Sequence, residues 1–144
     1  MANLALVAGA AFRPVSGVAN GHEQYTFEAN ERINKGQVFR IDGTTGKATL
    51  ANGSAAGEAG PDLYIAIDGA RNAGQGVTGM QRGLVEGYDL DALAYNAPVY
   101  LGNTDGTPAD AAGTVSTVIG RVIPSPVSGN PSVQDKILKV NLPQ

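Results

Sequence analysis

The chain has 144 residues, with 20 Gly, 8 Pro, no Cys, no Trp and a formal charge of −3. That is the length of one domain, and enough to bury a core without covalent staples. The missing cysteines exclude disulfides and thiolate zinc sites, and the acidic balance, with its basic residues scattered, argues against nucleic-acid binding, which needs a basic stripe.

Residues 1–22 are small, apolar and punctuated by Gly, and end at His22. The run LALVAGAAF over 4–12 has the composition of a signal-peptide core. No Lys or Arg precedes it, however, and the first basic residue, Arg13, follows it. The segment therefore reads as an extended N-terminal arm, or one short strand, that orders against a partner. Residues 23–144 read as the folded domain. The expected site of synthesis is the cytoplasm.

Residues 23–29 (EQYTFEA) alternate, with Tyr25, Phe27 and Ala29 on one side, and predict a half-buried strand. Residues 37–42 and 47–51 flank GTTG and predict a hairpin. Residues 52–61 read as a loop. The run DLYIAID at 62–68 puts Leu63, Ile65 and Ile67 opposite Tyr64 and Ala66, so both faces should be covered. Residues 80–87 are strand-like, with Gly83 predicting a bulge or sharp bend. The one short helix is expected at 89–95, capped by Asp89, with Leu90, Leu93 and Ala94 as its apolar stripe and Pro98 ending it. Strands follow at 98–101, 115–123 and 136–142, separated by loops at 102–114 and 124–135. The fold class is mainly β, a small barrel built from short strands and many turns. No apolar run approaches the roughly 20 residues needed to span a bilayer.

Catalytic chemistry has little to work with. His22 is the lone histidine, and no G-x-S-x-G elbow accompanies it. Gly74, Gly76 and Gly79 match G-x-G-x-x-G after a strand, but Val77, Thr78 and the next glycines leave no helix to meet a pyrophosphate. Asp89, Asp91, Asn103 and Asp105 lack the spacing and the bidentate Glu of a calcium loop, and read as a cap and a turn. No catalytic residue, metal or cofactor is therefore expected, and the chain is not read as an enzyme.

The stretch VEGYDLDALAYNAPVYLGNTDGTPADAAGTVSTVIGRVIP, followed by KILKVNLPQ, resembles the capsid decoration (cement) proteins of tailed bacteriophages, of the lambda type. The resemblance covers roughly residues 62–142 and rests on the order and spacing of LVEG, PVYL, VIGRVI and the final strand. It implies a β-tulip barrel on the outer surface of a virion capsid, bridging major capsid subunits against the pressure of packed DNA. It also implies homo-oligomers, trimers above all, with no nucleic acid or membrane as partner. In that family an N-terminal arm commonly reaches onto the shell. Here the matching residues are Leu4, Leu6, Val7, Phe12 and Arg13, the expected contacts with the major capsid protein.

Two other readings compete. One is another virion β domain, in a tail, connector or fibre, which its symmetry would distinguish. The other is a carbohydrate or ligand module using Tyr88, Tyr95 and Tyr100 at one mouth.

Overall fold

The computed structural model describes residues 2–7, 12–14, 24–124 and 136–142. His22 and residues 125–135 of the expected 124–135 loop lie outside the described residues, while Pro124 ends a strand. The mainly β expectation holds, but the strands form two antiparallel sheets instead of one closed barrel.

The first sheet is built from β2 (Gln24–Glu28), β3 (Val38–Ile41), β4 (Ala48–Leu50), β5 (Leu63–Asp68) and β6 (Gly76–Met80). Their spatial order is β2-β6-β5-β3-β4. The predicted hairpin is β3–β4, with Ile41 opposite Ala48 across the GTTG turn. Asp42 shapes that turn, its carboxylate accepting from the amides of Thr44 (2.7 Å) and Thr45 (3.2 Å). Those two donors hold the Asp42 carboxyl below its ordinary pKa. The sheet curls until its edges touch at one parallel bridge, Ala29 to Ala48.

The second sheet holds β1 (Arg13–Pro14), β7 (Arg82–Glu86), β8 (Pro98–Leu101), β9 (Pro108–Ala109), β10 (Val118–Pro124) and β11 (Lys136–Asn141). Its order is β1-β7-β11-β10-β8-β9. The run 80–87 is divided between the sheets. The chain leaves the first sheet at Met80 and enters the second at Arg82. Pairing of β7 with β11 continues in register through Gly83, so no bulge forms there. The register shifts fall instead at Ala66/Asp68 and Val118/Gly120.

Hydrophobic burial explains the layers. Val38, Leu63 and Ile65 face Val85, Ile119 and Leu138 across the two sheets in one large cluster. The opposite sides of the same strands, with Phe39, Tyr64 and Ala66, meet Ala29, Ile33 and Val77 in a second cluster within the curl. The run LYIAID is thus buried on both faces, as its unbroken apolar character requires. Tyr25, expected to be half-buried, is 44% exposed, because β2 is an edge strand.

The helix expectation needs correction. Residues 89–95 form turns, while the single described helix, α1 (Ala56–Ala59), is one turn within the expected 52–61 loop. Leu90 is buried as the stripe predicts, but Ala94 is exposed. Two turns stand in place of the helix, closed by the Leu93 amide to Leu90 O (3.0 Å) and the Ala97 amide to Ala94 O (3.2 Å), because a segment of about two turns forms too few i→i+4 bonds to hold a helix by itself. The Lys136 ammonium donates to the carbonyls of Leu93 (2.6 Å) and Asp91 (3.4 Å) in that segment.

Candidate docking surface

The N-terminal residues lie against the body as a strap. Asn3 bridges Ala109 at the outer strand of the second sheet, and Leu6 bridges Tyr88. The amide of Leu4 donates to Pro108 O (2.8 Å), that of Val7 to Gly87 O (2.6 Å) and that of Asp89 to Ala5 O (2.7 Å). At the start of the strap, the Ala2 amide donates to the Asp110 carboxylate (2.9 Å) and the Asp110 amide to Ala2 O (3.0 Å). The strap covers the free edge of β9, which would otherwise offer unpaired backbone groups to any neighbouring strand. Within the expected arm of residues 1–22, then, 2–7 and 12–14 are bonded to the domain they precede.

The five expected contact residues separate. Phe12 is 4% exposed and packs edge-on against Tyr88, with ring centroids 4.9 Å apart. Its ring is part of this chain's own core. Gly87, at φ +123°, makes room for it, since a Cβ there would lie 2.7 Å from Phe12 Cα. Arg13 sits in β1 opposite Glu86. Leu4 and Val7 are half-buried, and Leu4 packs on the main core. Leu6 is 47% exposed.

Leu4 and Leu6 form one wall of a shallow groove of about 200 Å3, with Lys35, Gly36, Tyr88 and Pro108 among its other lining residues. Gly36 has φ +86°, and a Cβ on it would stand 3.1 Å from Leu6 Cδ2, so the leucine methyl lies over bare backbone. Tyr88 forms the floor. It is 2% exposed, and its hydroxyl donates to Gly36 O. Burial pushes its phenol well above the ordinary range, so it remains a neutral donor. The groove therefore offers an apolar ledge beside one ammonium. Its other walls come from residues about thirty to a hundred positions along the chain. Nothing in the sequence signals that residues 34–36 lie under the strap.

The remaining motifs have structural partners. Gly74 (φ +89°) turns the chain and Gly76 and Gly79 lie in β6, so the G-x-G-x-x-G match leads into a strand. Asp89 accepts from the Asp91 amide (3.2 Å) and Asp105 from the Asn52 side-chain amide (2.7 Å). No group of three or more His, Asp or Glu side chains converges as a metal site among the described residues. Tyr88 is buried while Tyr95 is 51% exposed, so the three tyrosines form no common exposed platform. Among the described residues, no helix is long and apolar enough to cross a membrane. No family model, curated protein or solved structure matches the chain.

Proposed function

We propose that this chain is a capsid decoration protein. It binds the outer surface of a tailed-phage head, bridges major capsid subunits and stabilises the shell, and it catalyses no reaction. The ordered motifs across 62–142 support this reading, as does a body built to present a surface. The single observation that carries it is Leu6: a large apolar side chain, 47% exposed, beside a groove, on a strap fixed by backbone hydrogen bonds. Burying one leucine contributes about 1.5–3 kcal/mol, too little for stable docking alone. Three copies in a trimer, repeated over a lattice, multiply that into avidity of about 10²–10⁴. A rigid strap is suited to the task, because ordering it costs nothing further on binding.

The test uses heads of the encoding phage stripped of this protein. Wild-type chain should rebind and raise the temperature at which heads rupture. Leu6→Asp should fold normally yet fail to rebind. Heads that take up no wild-type protein, or that rupture at the same temperature with and without it, would overturn the assignment.

A further inference from the structure

A second cleft, of about 260 Å3, opens where two loops meet, and it is lined by Arg32, Lys35, Asp68 and Arg71. Its floor is an antiparallel bridge between Ile33 and Ala70, closed by two hydrogen bonds of 2.9 Å. Ile33 and Ala70 point into the core and are 0% and 2% exposed. One step out in that register, Arg32 stands opposite Arg71, so two guanidiniums from distant parts of the sequence line the same cleft. On the other side of the bridge, Lys35 and Asp68 line the same cleft.

Like charges held on the wall of one cleft repel each other, and an anion between them relieves that repulsion. No described carboxylate lies within 4.0 Å of either guanidinium. Arg32 Nε instead donates to the Asn34 side-chain oxygen at 3.2 Å, which orients its plane. Both loops are braced in the same manner. Gln75 Oε1 accepts from the amides of Arg71 (2.9 Å) and Asn72 (3.1 Å), and Gln37 Oε1 accepts from the Asn34 amide (2.8 Å). Gly69 allows the loops to touch, since a Cβ there would meet Ile33 O at 2.5 Å. The backbones that carry the two exposed arginines are thus braced, in a chain whose overall charge is −3.

We propose that this cleft is an oxyanion site that takes a doubly charged phosphate group between Arg32 and Arg71. Guanidinium forks match phosphate oxygens in pairs, and two of them balance a dianion where a single carboxylate would leave one charge over. The proposal does not depend on the docking function. The phosphate can be free or can end a nucleotide, and both present the same oxygens.

Calorimetric titration of the whole chain at low ionic strength tests it, with pyrophosphate in one arm and ADP in the other. One equivalent of pyrophosphate should bind, more weakly as salt rises. Arg32→Gln and Arg71→Gln should each weaken binding at least tenfold, and the double variant should abolish it. Arg71→Lys keeps the charge without the fork and should fall between. Lys47→Gln, in the Glu28 ion pair outside the cleft lining, should bind as wild type does. Equal affinity in the two arms assigns the site to phosphate alone, and tighter ADP binding assigns it to a nucleotide terminus. Without ligand, Arg71→Gln should melt no lower than wild type, because a repulsion has been removed. Absence of binding in both arms, or equal pyrophosphate affinity in wild type and the double variant, would overturn the proposal.

Discussion

The ring of Phe39 lies across the backbone of Gly79. A Cβ at position 79 would meet Phe39 Cζ at 2.5 Å and Tyr64 Cβ at 2.8 Å. Gly79 pairs with Ala66 on one side and Tyr25 on the other, in the middle of the curled sheet. The missing side chain lets the stacked rings of Phe39 and Tyr64, 5.3 Å apart, fill the second core. Gly79→Ala should therefore cost about 1–3 kcal/mol through overpacking. The check is the urea midpoint at unchanged m-value. Gly76→Ala, whose nearest neighbour would be Thr26 Cγ2 at 3.4 Å, is the mild control in the same strand.

Two residues of the N-terminal region should behave oppositely. Phe12→Ala removes a ring buried against Tyr88 and should cost about 3–5 kcal/mol. Leu6→Ser, at a side chain nearly half exposed, should change stability by less than about 0.5 kcal/mol. Thermal melts of the two proteins give the answer directly. A large loss at Leu6 would mean that its side chain serves the fold, and the docking role would lose its basis.

Tyr88 should give stability an alkaline limit. Burial raises its folded-state pKa, so above pH 10 the unfolded chain releases a proton that the native chain retains. Its contribution is intact below about pH 10 and declines above that by up to about 1.4 kcal/mol per pH unit. Tyr64, also raised by burial, acts in the same direction. Tyr88→Phe should flatten this alkaline slope. At neutral pH it should cost about 1–3 kcal/mol, because Gly36 O loses its buried donor. Urea titrations of both proteins at pH 8 and pH 11 separate the two effects.

Legibility followed the range of the forces involved. The hairpin 37–51 and the doubly buried run LYIAID were readable because alternation and turn chemistry are local. The crossing at Gln81 was not, since leaving one sheet for another depends on which strands wait on either side. Tyr25 alternates correctly yet is exposed, because edge position is a property of topology. Among the expected contacts, Leu6 and Phe12 look alike in sequence. They are told apart by Tyr88, which buries one and leaves the other on the rim of a groove. The facing pair Arg32 and Arg71 carries no sequence signal, as a single bridge between two loops creates it.

Lys136 grips the turn that stands in place of the expected helix, and it supplies the last prediction. Its ammonium caps the turn at 89–96 through the carbonyls of Leu93 and Asp91, and it lies 5.3 Å from the centroid of the Tyr95 ring. Lys136→Met keeps the stem and removes the charge. Hydrogen bonds from a cation are worth about 1.5–3 kcal/mol when buried, and a cation–π contact at an exposed site about 0.5–1 kcal/mol. This ammonium is partly solvated, so the net cost should be about 1–2 kcal/mol. The loss should concentrate locally: amides 93–97 should exchange faster, while those pairing β10 with β11 should keep their protection. Uniform loss of protection across both regions would show that the turn is not an independent unit. Unchanged exchange at 93–97 would show that Leu90 and Leu93 hold it by packing alone.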